Sequence, residues 1–534
     1  MGRPFFAVEK PLRRISHLKA AEIQYPVTLP RGSMHSRFVS PAFSFVLLAL
    51  FMSAAAFATT PTVTVTSPAN NSATTSPVNY VASASSPDCA QGISSMRIYS
   101  APKDSAYTVA GGTLNAYINL PQGTYNTVVE TWDNCGGVAT ANVTITITGE
   151  TQPGGFVYTT NSNYTYGGNT SNTVQGFTIV ASNGALAPTG QWPVNANVDP
   201  MSAASDKGGY RLYVGDYVSG DIFAYFIDRN NGYIFPVSGS PFPVNHSVTS
   251  VAVHPSGNFV FATRDENGSG DGVAVFAVQN DGSLVEAAGS PYLTQPGPWT
   301  MVMDPGGQYL YVATTDYYGV NQYFSIDAFA FNATLGVLTP VPGSPFAFRV
   351  PSACGATTLF PYGLFDLSSK YLYVADPGMD SISGATIASS IGNLTEIGGS
   401  PWPDEGGCNP PPNEPIYWAG PVSLAVDGTG KFLYALNAGV QNIAIYSIAA
   451  NGALTFSKYA ETGDVCSGSL GTDSTGSYLY AGNCCSSSVY AGYNAISGFS
   501  INPTTGDLTQ LPGSPYTYPM GGNYDFMQSL TVTP

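Results

Sequence analysis

The sequence predicts an all-β chain, a seven-bladed β-propeller preceded by a smaller β-sandwich. Two repeated signals and the composition predict it. From residue 156 onward a turn of the form x-Gly-x-(Leu/Ile) recurs seven times, at Gly184, Gly232, Gly282, Gly336, Gly392, Gly452 and Gly506. An aromatic strand precedes each turn, as in Leu212-Tyr213-Val214, Leu310-Tyr311-Val312 and Leu372-Tyr373-Val374. About 50 residues is the size of one four-stranded blade, so seven repeats mean seven blades. The composition agrees: 59 Gly, 41 Pro and 34 Tyr with only 9% charged residues suit short strands and tight turns. The Ala/Leu/Glu/Lys-rich periodic runs of amphipathic helices are missing.

Taken in chain order, residues 1–58 read as an export signal. An apolar run over residues 43–57 follows Arg37 and ends in Ala56-Phe57-Ala58, a small-x-small cleavage pattern. The run is shorter than the roughly 20 residues of a spanning helix, so cleavage is expected rather than a permanent anchor. Met34 is a candidate true start, because the stretch before it is long for the basic leader of a signal. Residues 59–149 alternate short strand-like runs with turn clusters such as Pro68-Ala69-Asn70-Asn71, the pattern of a β-sandwich of about seven strands. Residues 150–155 read as a linker, and residues 156–534 as the propeller. Five repeats end in Gly-Ser-Pro-aromatic, for example Gly343-Ser344-Pro345-Phe346. The first repeat lacks the opening strand of the others, and Ser529-Leu530-Thr531-Val532-Thr533 matches it. The C-terminus is therefore expected to supply the innermost strand of the first blade and cover its open edge.

Of 17 basic and 33 acidic residues, seven and two lie in residues 1–58; the remainder holds 10 and 31, a net charge of −21. Such a surface repels nucleic acid and anionic lipid, and neither is an expected partner. All seven cysteines follow the cleavage pattern, which fits an oxidising compartment: secreted, periplasmic or cell-surface. Cys89 and Cys135 fall together in the sandwich and are the expected bridge. The odd count leaves at least one thiol free or paired with another chain.

In an antiparallel blade with strands A (innermost) to D, the D–A connectors and B–C loops share one face of the wheel, and the A–B and C–D hairpins share the other. His254, beside Ser256, falls in an A–B turn where other repeats place Asp304, Asp427 and Asp473, and is read as a turn residue. His246 is the only other histidine after residue 58, so Ser-His catalysis and histidine-built metal sites have almost no candidates. The connector and B–C face is richer. It offers Asp216, Tyr217, Trp299, Asp316, Tyr317, Tyr362, Asp380 and Trp418 as ligand-binding candidates, since rings stack on sugars and carboxylates bond hydroxyls or hold Ca²⁺. No organic cofactor is implied, and Ca²⁺ is the one ion for which the residues give any grounds. The same face carries Cys354, Cys408, Cys466, Cys484 and Cys485, expected to staple loops, with Cys354 to Cys408 and Cys466 to Cys484 or Cys485 as the pairings considered.

The sandwich resembles bacterial Ig-like modules of surface proteins through Thr66-Ser67-Pro68-Ala69-Asn70 and Trp132-Asp133-Asn134-Cys135-Gly136-Gly137; such modules act as spacers or adhesion units. The repeats, with Leu-Tyr-Val-Ala and the later x-Gly-x-Leu turn, resemble the lactonase-like YVTN propellers, which include 6-phosphogluconolactonase-like proteins and carboxymuconate cyclases. The resemblance implies the seven-bladed fold and, for some members, opening or closing of lactone rings. Those enzymes carry a Pro-Arg-His-Leu-Ala-Phe-like segment followed by Asn-Glu. Here Pro421-Val422-Ser423-Leu424-Ala425-Val426 and Asn437-Ala438 stand in its place, and Tyr362 stands where another histidine is expected. Asp376, Gly378 and Asp380 do match the family's Asp-x-Gly-x-Asp. Lactone chemistry needs a cation for the developing oxyanion and a group to move a proton, and the segment supplies neither. The expected function is therefore binding of a glycan, an envelope component or a protein. The alternative is a divergent lactonase using Arg264, Asp265, Glu266 and Asp376.

Overall fold

The computed structural model describes residues 60–534, apart from 77, 102–103, 119, 121, 151–153, 164–171, 192–193, 196–198, 266–269, 315–322, 350–362, 368–369, 378–379, 405–419, 438–441, 463–466, 484–492 and 520–524. The signal-like segment lies outside the described residues. Every regular element among them is a β-strand, and none of them forms a helix long and apolar enough to cross a membrane.

Eight strands come first: β1 (Thr62–Ser67), β2 (Ser72–Ser76), β3 (Val78–Ser85), β4 (Ile93–Ala101), β5 (Asp104–Ala110), β6 (Thr113–Ile118), β7 (Gly123–Asp133) and β8 (Val138–Glu150). They form a three-stranded sheet ordered β1-β3-β6 and a five-stranded sheet ordered β2-β8-β7-β4-β5. Period-2 alternation decides which side chains meet. Tyr80, Met96, Ile98, Val129 and Ile145 form a shared core between the sheets, while Thr146 and Thr148 of β8 face out. The Tyr80 hydroxyl, buried with them, donates to Thr127 Oγ1 at 2.8 Å. Cys89 and Cys135, the pair expected from the sequence, form a disulfide with Cα atoms 5.8 Å apart.

Seven antiparallel sheets follow. Strand B of successive blades runs Phe156–Asn163, Arg211–Asp216, Phe259–Arg264, Tyr309–Thr314, Tyr371–Asp376, Phe432–Asn437 and Tyr478–Asn483. Strand A of the first blade is Asp525–Thr533, paired antiparallel with Phe156–Asn163. Strand A of blades 2 to 7 is Pro200–Ser205, Val251–Val253, Pro298–Met303, Gly363–Leu367, Pro421–Val426 and Ser467–Thr472.

The two repeated sequence signals turn out to be partners. In five blades the strand-B tyrosine donates its buried hydroxyl to the carbonyl of the turn glycine in the next blade. Tyr158 bonds Gly232 at 2.8 Å, Tyr311 bonds Gly392 at 3.1 Å and Tyr373 bonds Gly452 at 2.8 Å. Tyr434 bonds Gly506 at 3.1 Å, and Tyr480 returns to Gly184 of the first blade at 2.7 Å. Such a buried hydroxyl stabilises only when paired, so in these five blades the tyrosine and the glycine position act together. The third blade carries Phe261 at this place, and Tyr213 of the second has no hydrogen-bond partner for its buried hydroxyl.

The Gly-Ser-Pro endings have an equally specific task. All five Ser-Pro bonds are cis and break strand D into two short pieces. At each break the serine Oγ accepts a strand-C amide: Ala224 to Ser240, Val275 to Ser290, Ala328 to Ser344, Gly384 to Ser400 and Gly498 to Ser514, all at 2.9–3.0 Å. The side chain replaces the ladder carbonyl that the kink removes, so no buried N–H is orphaned.

Candidate functional site

Strand A begins, and strand B ends, on the face shared by the D–A connectors and B–C loops. Five inner strands carry a bulge there. In blade 2, Pro200 pairs with Asp216 and Ser202 with Gly215, leaving Met201 outside the ladder. The same slip isolates Trp299, Val422, Gly468 and Gln528. A bulge re-aims one side chain and is a common device beside binding sites. Of the five residues none is ionisable, and Trp299 is a half-buried ring among them.

Val422 holds the bulge place where the lactonase-like enzymes carry arginine. Its neighbour Ser423, standing where they carry histidine, accepts the Leu470 amide of the next blade at 3.0 Å. Ser202 and Ser250 take the Val251 and Met301 amides in the same way, at 3.1 and 3.2 Å. This serine is a link between neighbouring inner strands.

Around the bulges strand B places Asn161 opposite Met527, and Asp216, Arg264, Thr314, Asp376 and Asn437 at its ends in blades 2 to 6. Asp216 is fully buried, and its carboxylate accepts the amides of Asp199 (2.8 Å), Val218 (3.1 Å) and Ser219 (2.7 Å). It shapes the B–C turn. Tyr217 donates its amide to the Asp199 carbonyl at 2.9 Å. Ser162 donates to the Asp199 carboxylate, which burial, with the Asp216 charge adding, pushes upward against that bond.

Arg264 reaches the connector between blades 2 and 3, where its Nη2 donates to His246 Nε2 at 2.6 Å. An imidazole accepting at Nε2 is neutral with its proton on Nδ1. Asp265 bridges to Ser247 through the backbone. Asp376 is fully buried at the end of its strand, opposite Ser381. Glu266, Asp316, Tyr317, Tyr362, Trp418, Cys354, Cys408, Cys466, Cys484 and Cys485 lie outside the described residues.

Asp380 is buried in a left-handed turn conformation (φ 50°), and its Oδ1 has no hydrogen-bond partner. Burial, reinforced by the charge of Asp404, pushes its carboxyl up to about 7. Asp404 in turn accepts the hydroxyls of Tyr446 (3.0 Å) and Tyr459 (3.4 Å). Asp327 of blade 4, also buried, is pushed up to about 6 by desolvation despite accepting the Gln295 amide at 3.0 Å. None of Asp327, Asp404, Tyr446 and Tyr459 was singled out from sequence; they lie inside strands or beside them, and only the neighbouring blade brings Tyr446 and Tyr459 to Asp404.

These raised carboxyls set a pH dependence. The folded state holds their protons at pH values where the unfolded chain has already released them, so stability falls as pH rises from about 4 through about 7. Asp380→Asn is expected to flatten that decline between pH 5 and 8, measured by urea denaturation at each pH. An unchanged slope would remove Asp380 as its source.

His254 sits in its A–B turn as the sequence suggested. Its Nδ1 accepts the Ser256 amide at 3.1 Å and Nε2 donates to the Gly307 carbonyl of the next blade at 3.0 Å. Asp304, Asp427 and Asp473 cap the equivalent turns through backbone amides. Among the described residues, three metal-capable groups within 4.8 Å of one another occur only at Cys89, Asp133 and Cys135, where the disulfide consumes both thiols.

With the geometry in place, comparison with known proteins bears on the fold. The family described as lactonase, seven-bladed β-propeller, matches residues 412–520. No curated protein matches the sequence. Among solved structures, a 6-phosphogluconolactonase candidate from Bacteroides fragilis is 19% identical with a TM-score of 0.51, covering 72% of this chain and 99% of its own. The periplasmic gluconolactonase PpgL of Pseudomonas aeruginosa is 14% identical with a TM-score of 0.51, covering 71% and 99%. At such identities the likeness establishes a lactonase-like propeller fold and nothing about chemistry.

Proposed function

We propose that this chain is an exported binding propeller that takes a hydroxyl-rich ligand, a glycan or an envelope polymer, on the connector and B–C face. The observation that carries the reading is the bulge ring. Met201, Trp299, Val422, Gly468 and Gln528 offer apolar surface, one aromatic platform and an amide, and no charge to drive acyl chemistry. The Cys89–Cys135 disulfide and the acidic remainder of the chain support an oxidising, extracytoplasmic setting. The N-terminal sandwich, read as Ig-like, serves as a spacer towards the envelope.

A second reading, hydrolysis of a lactone, is favoured by the Arg264–His246 contact, which brings a cation and a proton carrier together, and by the lactonase family match. In the geometry observed the histidine lone pair is spent on the arginine, so His246 is not poised to take a proton from water. Binding is therefore preferred. The test pairs a pH-stat assay on a lactone panel with calorimetric titration of soluble glycans, using oxidised residues 59–534. No turnover is expected, and Trp299→Ala should weaken glycan binding about tenfold, the scale of one lost stacking ring. Turnover that disappears in Arg264→Ala and His246→Gln would establish the hydrolase instead.

A further inference from the structure

A cleft of about 890 Å³ lies where β5 and β6 approach the Gly513-Ser514-Pro515 turn of blade 7. We propose that it is a second binding site, for a short neutral saccharide of about two or three rings, held jointly by the sandwich and the propeller. Its volume falls in the range of small-molecule sites, roughly 300–1,000 Å³.

The lining decides the chemistry. Among the described residues no Asp, Glu, Lys, Arg or His contributes to it, although the chain after residue 58 is strongly acidic. Thr66, Ser83, Ser95, Thr108, Thr113 and Thr517 line it together with Tyr107; the hydroxyls of Thr66 and Thr108 are already bonded, to the Val81 carbonyl and to Arg97. A hydroxyl left free there can donate and accept, which matches sugar hydroxyls, and no charged side chain among the described lining residues offers a counter-ion. Asn115, also in the lining, has a buried Oδ1 with no hydrogen-bond partner. A buried acceptor left unmade is costly, and a turn of the Asn115 side chain towards the cleft would let a ligand hydroxyl satisfy it.

The cleft is also built to persist. The Asn183 amide of blade 1 donates to Tyr117 of β6 at 2.8 Å. Gly513 lies so close to β6 that an added Cβ would be 2.5 Å from the Asn115 carbonyl. Two walls fixed against each other give a preorganised site, which lowers the ordering cost of binding.

The test titrates cellotriose, maltotriose, N-acetylchitotriose and trigalacturonic acid into residues 59–534 carrying Trp299→Ala, so that the loop-face reading and this one fail separately. At least one neutral trisaccharide is expected to bind, and the acidic one not. Adding Asn115→Ala should weaken binding about tenfold, one lost hydrogen bond with its buried acceptor. Thr113→Trp, at the exposed rim, should block the cleft, with thermal melts confirming that both variants are folded. Silence of all three neutral sugars would overturn the proposal, as would binding unchanged in both cleft variants or preferred binding of trigalacturonic acid.

Discussion

Removing residues 525–534 is expected to abolish the cooperative melt of the propeller. The lost strand makes eight register pairs with Phe156–Asn163 and buries Met527 and Leu530 against Val157, Phe177 and Tyr480. Thr533 Oγ1 also accepts the Phe156 amide, at 3.2 Å. Two buried apolar side chains and a full ladder together exceed about 5 kcal/mol, comparable with the whole stability of many domains. The deletion also leaves a long unpaired edge in the middle of the ring, an invitation to aggregate. Size-exclusion chromatography and differential scanning calorimetry would show loss of monomer and of the main transition. A synthetic peptide of residues 525–534, supplied during refolding, should restore part of it. A truncated monomer melting at the parent temperature would mean that the ring does not depend on this strand.

Gly392→Ala is expected to cost about 3 kcal/mol, from positive-φ strain together with overpacking. The residue sits at φ +73°, and an added Cβ would lie 2.3 Å from the Tyr309 ring of the preceding blade. Tyr311→Phe removes only the hydroxyl that reaches the Gly392 carbonyl and should cost about 1–2 kcal/mol. Because both changes act on one junction, the double variant should lose less than the sum. Urea denaturation of the three variants gives the comparison. An alanine variant as stable as the parent would show that the junction relaxes around the methyl group.

The blade number was legible because each blade repeats its own local signals. What those signals do was not, because their partners lie a whole blade away. Tyr311 and Gly392 are 81 residues apart, and Tyr434 and Gly506 are 72 apart. Each appears in the sequence as an independent periodicity; only the ring geometry joins them. The Gly-Ser-Pro ending was visible as punctuation, but nothing local says that its Oγ substitutes for a ladder carbonyl.

For the candidate site the limitation is burial. Asp216 and Asp380 read as polar loop residues, yet both are enclosed, one capping a turn and the other desolvated beside Asp404. The sequence offers Arg264 to a divergent lactonase and His246 only as a second histidine, and their contact depends on the path of the chain between blades 2 and 3. Ser423 shows the converse. The resemblance marked it as the wrong residue for lactone chemistry, and the structure gives it a different employment, holding the inner strand of the next blade.

The tyrosine-to-glycine bonds run in one direction round the wheel, so each blade is latched by the one before it. Two latches are missing, and they are adjacent: Tyr213 ends without an acceptor, and Phe261 has no hydroxyl to offer. Both lie at the edges of the third blade, the one that also carries Arg264 and, through its connector, His246. A closed ring has no natural end from which to unravel, yet this one has a seam. If the circle parts in use or under load, it parts on either side of that blade, and the residues nearest the opening are Arg264 and the His246 it bonds on the loop face.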